Sequence, residues 1–261
     1  MEAALFVGGG LGFIFLMTCL GAATVFFFRN AVPGIFHQIF LGFAAGVMIA
    51  ASIWSLLIPA IERVQGMPGW IPAACGFMLG ALFLLGLDHL IPHLHPFSNV
   101  SEGPESASGR TTLLISAVTL HNIPEGMAVG LSFALAAQNP GEPAMYASAL
   151  ALALGIGIQN FPEGAAITLP LRQEGISAKK SFFLGCVSGA VEPAFGFLTM
   201  FLAAWIVPVM PWLLSFAAGA MIYVVVEELI PEAQLGDHSH AGTLSVIAGF
   251  LVMMILDVAL G

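Results

Sequence analysis

Eight apolar runs follow one another along this chain, each near or above the roughly 20 residues that an α-helix needs to cross a bilayer. Only short breaks of Pro, Gly or charge separate them. A soluble core cannot absorb that much apolar surface. Of the 261 residues, 59% are hydrophobic and 8% charged, where an ordinary soluble domain carries roughly 25% charged residues. The chain reads as an all-α membrane protein, with spans at 3–28, 36–61, 69–91, 111–135, 145–171, 180–207, 211–233 and 243–260. One transmembrane domain takes up 1–261. The connection at about 96–110 is the only polar stretch of any length, so no separate soluble domain is expected.

The net charge of −9 suggests an acidic surface at first sight. Several of the acids lie inside apolar runs, however, out of reach of a macromolecule, and they read as site residues. No nucleic-acid partner is expected; the lipid bilayer is the surrounding partner. Cys19, Cys75 and Cys186 are widely spaced in apolar stretches, offer neither a disulfide framework nor a Cys-x-x-Cys pair, and read as packing residues. The chain opens Met1-Glu2 without Lys or Arg, and its first run is longer than a signal-peptide core, so the first span is expected to be kept.

Lys and Arg favour cytoplasmic connections. Arg29, Arg110, Arg172, Lys179 and Lys180 fall at the first, third and fifth breaks, and Arg63 alone falls on the other side. Both termini are therefore placed outside the cytoplasm. Trp70, Trp205 and Trp212 then sit near the outer boundary, where amphipathic indoles are favoured.

The stretch Phe43 to Ile49 recurs as Phe216 to Ile222, and each copy is followed by Leu-Ile-Pro, at Leu57 to Pro59 and Leu229 to Pro231. In the orientation above, the second and seventh spans cross the membrane in opposite directions, which makes the repeat an inverted one. A weaker echo links Leu87-Asp88 to Leu256-Asp257. Inverted repeats are characteristic of secondary transporters, whose sites lie near the midplane on helices interrupted by Pro or Gly.

The closest repetition joins the fourth and fifth spans, where His121-Asn122-Ile123-Pro124-Glu125-Gly126 is matched by Gln159-Asn160-Phe161-Pro162-Glu163-Gly164. Positions i and i+4 share a helix face. His121 thus stacks on Glu125 and Gln159 on Glu163, with Asn122 and Asn160 one step round. Pro124 and Pro162 cannot donate to the carbonyls of Leu120 and Ile158, which leaves those oxygens free. Gly126, Gly130 and Gly164 permit close approach of neighbouring helices. A carboxylate at the bilayer centre costs about 2.5–3.5 kcal/mol unless it is paired or coordinated, and a divalent cation offsets that cost. The plainer reading is two protonated Glu side chains hydrogen-bonded between helices, but a doubled motif with His, amides and prolines favours a metal. Glu192, followed by Pro193 in the sixth span, is placed to close the same site. Mostly oxygen donors with one imidazole suit zinc, iron, manganese or cadmium better than Cu(I).

These residues resemble the ZIP family of zinc- and iron-regulated transporter-like proteins, above all its short-loop prokaryotic branch of GufA-like proteins. The resemblance covers the whole chain. It implies divalent metal uptake into the cytoplasm, zinc or another divalent ion being the substrate, through a two-metal site in a 3+2+3 helix bundle. On this resemblance His121, Glu125, Gln159 and Glu163 correspond to one metal position. Asn122, Glu125, Asn160, Glu163 and Glu192 correspond to the second, with Glu125 and Glu163 bridging. Many family members carry His where this chain has Gln159, and an amide oxygen there weakens the preference for zinc over harder ions. A homodimer and a bacterial inner (plasma) membrane are also expected from the family.

Asp88, His89, His93 and His95 near the end of the third span, with His238 and His240 and their neighbour Asp237 before the eighth, fall on the cytoplasmic side and are candidate pathway residues for ion exit. Solvated loop residues are the plainer reading. Glu227 and Glu228 in the seventh span lie deeper and are placed along the pathway. Ser52 and Ser55 read as packing residues, Asp257 as interfacial and His37 as a surface residue. Two other functions are open. A membrane-embedded metal-dependent hydrolase would use a His- and Glu-bound zinc to activate water, but no His-Glu-x-x-His or nucleophile beside a base is present. A proton-coupled metal exporter would use similar acids with the opposite flux.

Overall fold

The structure, a computed structural model, describes residues 2–27, 34–64, 66–90, 93–94, 101–102, 110–139, 141–173, 175–205, 207–234 and 240–260. Long helices make up nearly all of it: α1 (Glu2–Ala22), α2 (Gly34–Ala51), α3 (Ile58–Glu62), α4 (Trp70–Leu90), α5 (Arg110–Gln138), α6 (Pro143–Gln173), α7 (Ala178–Gly189), α8 (Val191–Trp205), α9 (Met210–Val224), α10 (Ile230–Ala233) and α11 (Ala241–Leu260). Two short strands, β1 (His93–Leu94) and β2 (Ser101–Glu102), pair antiparallel beside the expected 96–110 connection, with His93 opposite Glu102. This pairing is the one departure from an all-helical expectation among the described residues.

Among the described residues, seven helical stretches are long and apolar enough to cross a membrane: Phe6–Phe26, Gly34–Glu62, Trp70–Leu87, Pro143–Leu169, Ala178–Leu202, Met210–Leu229 and Ala241–Ala259. The remaining expected span, the fourth at 111–135, corresponds to α5. It has 29 residues, ample length, but His121, Asn122, Pro124 and Glu125 interrupt its apolar run. The polarity that makes the helix interesting also makes it a weaker span by composition.

Prolines shape the helices in three different ways. α5 and α6 continue through Pro124 and Pro162. The sixth expected span is instead split at Ala190 into α7 and α8, because Pro193 has no N–H to give the Gly189 carbonyl. Between α2 and α3 the backbone widens into a π-turn at Ser52–Leu57, and between α9 and α10 into another at Val225–Leu229. Both turns end just before the Ile-Pro of the repeated Leu-Ile-Pro, where the proline ring crowds the carbonyl four residues back and opens the helix. The first π-turn has 6 residues and the second 5. That extra residue accounts for the first copy being one residue longer between its Ile and its Pro.

The helices pack pairwise: α2 against α11, α4 against α9, α1 against α6 and α5 against α8, with α5 and α6 also touching each other. Glycine-mediated contacts recur between the first two pairs. A Cβ on Gly46 would strike the Val246 carbonyl, and one on Gly249 the Phe43 carbonyl. At the corresponding positions a Cβ on Gly219 would strike the Phe77 carbonyl, and one on Gly80 the Phe216 carbonyl. These seams hold backbones closer than any larger residue allows, as in membrane bundles generally.

At one end of the molecule Arg63, beyond α3, lies 3.6 Å from Glu142 in the α5–α6 connection and donates to the Met145 sulfur at 2.9 Å. Trp212 shares a cavity of about 300 Å³ with Arg63 and Pro208, and Trp70 is largely exposed. The Trp205 side chain lies outside the described residues, as do Arg29 and the His37 side chain.

Candidate metal centre

The two sequence motifs meet. Pro124 and Pro162 leave α5 and α6 unbroken, so Glu125 and Gln159 project from facing helices, and Gln159 Nε2 donates to Glu125 Oε1 at 2.7 Å. One residue on, Asn160 Nδ2 donates to Glu192 Oε2 at 2.6 Å, and Thr18 Oγ1 donates to Glu192 Oε1 at 3.0 Å. Asn122 turns its amide nitrogen to the Ser188 carbonyl at 3.1 Å. Four helices, α1, α5, α6 and α8, therefore supply one polar cluster, with α7 closing it through Ser188. Asn122, Glu125, Gln159, Asn160 and Glu192 are each no more than 1% exposed.

Glycines set the depth at which these side chains meet. A Cβ on Gly126 would collide with the Glu192 carbonyl of α8, and a Cβ on Gly164 with the Thr18 carbonyl of α1. The final glycine of each motif thus admits the backbone of the residue whose side chain completes the cluster. Thr18 was not anticipated from the sequence. A lone Thr in an apolar span carries no signal there, and it is found only through its bond to Glu192.

The electrostatic character follows from which atoms are satisfied. The amide nitrogens of Asn122, Gln159 and Asn160 are all used as donors. The oxygens left without a hydrogen bond are acceptors: Asn122 Oδ1, Glu125 Oε2, Gln159 Oε1 and Asn160 Oδ1. Buried polar atoms are nearly always paired, so a cluster of unpaired oxygens is a place suited to positive charge. Glu163 lies within electrostatic range of both Glu125 and Glu192. With Glu125 and Gln159 it borders a cavity of about 20 Å³, whose far wall is Phe40, Met48 and Val224 of α2 and α9. A space of that size holds about one water-sized sphere.

Not every expected ligand converges. The His121 side chain lies outside the described residues. Among the described residues, no three His, Cys, Asp or Glu side chains are close enough to hold one ion together. The physical reason is visible in the bonds: the amides of Gln159 and Asn160 stand between the carboxylates, which are held by those amides and not drawn onto a shared point.

The pathway candidates are distributed along two edges. Glu228 lies inside the second π-turn and is 3% exposed, whereas its neighbour Glu227 faces outward. His89 is exposed at the end of α4, with Nδ1 2.8 Å from the Leu85 carbonyl, and His240 is exposed before α11. The side chains of Asp88 and His93 lie outside the described residues, as do His95, Asp237 and His238. Asp257, expected at the interface, is instead 6% exposed and accepts a 2.6 Å hydrogen bond from Ser55. Ser55 belongs to the first π-turn and occupies the position that Glu228 has in the second. Ser52 donates to the Met48 carbonyl at 2.7 Å, a local helix bond in keeping with a packing role.

The family profile described as ZIP Zinc transporter matches residues 98–257, a stretch that contains both motifs and Glu192. Among curated relatives, zinc transporter ZIP11 of Homo sapiens is 37% identical, with 97% of this chain and 96% of the relative covered. Zinc transporter GufA of Myxococcus xanthus is 39% identical over 85% of this chain and 86% of the relative. Zinc transporter ZIPB of Bordetella bronchiseptica is 38% identical over 98% and 81%. Matched in this way from one end to the other, the chain is a multi-pass membrane protein that belongs to the ZIP family, a family of transporters and not of enzymes.

Proposed function

We propose that this protein carries divalent metal ions, zinc foremost and also cadmium, iron or manganese, across the membrane into the cytoplasm. The observation that carries the proposal is the set of buried acceptor oxygens without partners on α5 and α6, at Asn122, Glu125, Gln159 and Asn160. In a bilayer such atoms are costly unless a cation visits them. The relatives' names support zinc as the principal substrate. His121, Glu125, Gln159 and Glu163 form one metal position; Asn122, Asn160 and Glu192 join the two glutamates in the second.

The carrier is a single domain of eight spans in a 3+2+3 arrangement, with α5 as the fourth span and both termini outside the cytoplasm. The Arg63–Glu142 pair supports α5 as a crossing helix. With α4 and α5 both crossing, the α3–α4 and α5–α6 connections fall on one face, where these residues meet. The matching glycine contacts of the α2–α11 and α9–α4 pairs support an inverted repeat, which suits alternating access to a site reached from either side. The chain works as a homodimer. A hydrolase is disfavoured by membership of a transporter family.

The experiment is ion flux in proteoliposomes loaded with a zinc-sensitive dye, with gradients imposed in both directions and protein orientation determined. Wild type is expected to pass zinc inward, and Glu125→Gln and Glu163→Gln to abolish flux while eluting as folded protein. Transport only against the inward direction would favour the exporter reading. Equal flux in the two variants and wild type would remove the centre from the transport path.

A further inference from the structure

Cys19 of α1 and Cys186 of α7 are 167 positions apart in the sequence, yet α1 and α7 pack so that the two thiols lie within interaction range of each other. Both are half-buried, whereas Cys75 on α4 is exposed. The seam that joins them is tight. A Cβ on Gly185 would lie 2.6 Å from Thr168 Cγ2 and 3.0 Å from Ala22 Cβ, and one on Gly189 would lie 2.7 Å from Thr18 Cγ2. Glycines on α7 thus bracket Cys186, while Thr18 and Ala22 bracket Cys19 on α1. Packing on either side thus holds the two helices together at the level of the two cysteines.

We infer that Cys19 and Cys186 form a second metal site, a two-sulfur clamp for soft divalent ions of the mercury(II) type, separate from the oxygen-rich centre. Three properties select that class. Thiolates prefer soft ions, whereas the carboxylates and amides of the centre prefer harder ones. Among the described residues no third His, Cys, Asp or Glu completes a cage with the two sulfurs, so an ion that requires four ligands, as zinc does, is poorly served. Charge decides the rest. The site lies in an apolar span within electrostatic range of Glu192, where a net charge is unfavourable. One divalent ion bound by two thiolates is neutral: each thiol gives its proton to the buffer, two metal–sulfur bonds form, and nothing is oxidised or reduced.

Occupancy would fasten α1 to α7 one residue from Thr18, which holds Glu192. The site stands independently of the transport reading, because its measurement is binding and not flux.

The test uses the full-length chain in detergent with Cys75→Ser, titrated with mercury(II) chloride. Expected are an endpoint of one ion per chain, an ultraviolet sulfur-to-metal charge-transfer band, and loss of maleimide reactivity at both remaining thiols together. Adding Cys19→Ser or Cys186→Ser should remove the two-sulfur band and weaken binding by about a hundredfold, the gain that two tethered ligands give over one. Peptide mass spectrometry of the unsubstituted chain, alkylated after one equivalent of ion, gives the same answer without relying on the variants: Cys75 labelled, Cys19 and Cys186 protected. An endpoint of two ions in the Cys75→Ser chain, undiminished affinity in the single-thiol variants, or continued labelling of Cys19 and Cys186 would overturn the assignment.

Discussion

Gln159 donates its amide N–H to Glu125 across the α5–α6 interface at 2.7 Å, and that bond fixes which way both side chains present their remaining oxygens. Gln159 Oε1 and Glu125 Oε2 are left as a pair of buried acceptors. An imidazole in place of the amide offers one ring nitrogen to a metal, and nitrogen donors favour zinc over harder ions. Gln159→His is therefore expected to raise zinc binding relative to manganese by roughly tenfold, within the range seen when a metal's immediate surroundings are altered. Competition titration of the purified protein with both ions measures the ratio. An unchanged ratio would mean that Gln159 does not face the ion.

Glu192 has both oxygens occupied, one by Thr18 and one by Asn160. Asn160→Leu removes a donor from a carboxylate with no access to water, so the metal-free protein should lose about 1–3 kcal/mol of stability. Thr18→Val should act in the same direction and by less, since the Asn160 bond is the shorter. Thermal unfolding in detergent with a chelator present reads both. An unfolding midpoint equal to wild type in Asn160→Leu would show that Glu192 is held by something else.

How much of this was legible in the sequence depends on the kind of signal. Apolar runs and the Leu-Ile-Pro repeats located the seven apolar spans to within a few residues, because span length and helix breaking are local properties. The doubled Asn-x-Pro-Glu-Gly motifs located α5, α6 and their polar faces for the same reason. Partners across helices were not legible. Thr18 reaches Glu192, Ser55 reaches Asp257, and Cys19 meets Cys186, all through packing that no single run encodes. The π-turns were equally hidden, although the unequal Ile-to-Pro spacing of the two copies was a trace of them.

Ser55 and Asp257 form a pair that a double-mutant cycle can isolate. Ser55→Ala leaves the buried carboxylate of Asp257 without the donor now 2.6 Å away, and should cost about 1–3 kcal/mol. Removing both polar groups, in Ser55→Ala with Asp257→Leu, should cost less than the sum of the two single changes, since no unpaired carboxylate remains. Chemical unfolding in mixed micelles supplies the four values. Strict additivity would dismiss the bond.

The recurring glycine contacts make a prediction that needs no ligand. Gly46→Ala and Gly219→Ala each drive a methyl group into a backbone carbonyl of the adjoining helix, and overpacking of this kind costs about 1–3 kcal/mol. Because their surroundings correspond, the two losses should be similar. Gly12, which has nothing near its Cβ position, is the control: Gly12→Ala should be neutral or stabilising, as a helix interior prefers Ala. Losses of very different size at Gly46 and Gly219 would argue that the two halves do not share one packing scheme.

The Arg63–Glu142 contact at 3.6 Å bears on how the chain is threaded. Glu142 is largely exposed, and an ion pair of that kind contributes less than about 1 kcal/mol, so replacing either residue should leave the fold intact. In a chain whose native cysteines are changed to Ser, Arg63→Cys and Glu142→Cys should both react with a membrane-impermeant maleimide added outside cells. Lys179→Cys, at the start of α7, should react only after permeabilisation. If Glu142→Cys instead reacts only after permeabilisation while Arg63→Cys reacts from outside, then with α4 crossing, α5 does not cross the bilayer and its motif does not sit at membrane depth. If Glu142→Cys follows Arg63→Cys, the polar α5 is a span despite its composition, and Glu125 with its unpaired oxygen stands inside the bilayer.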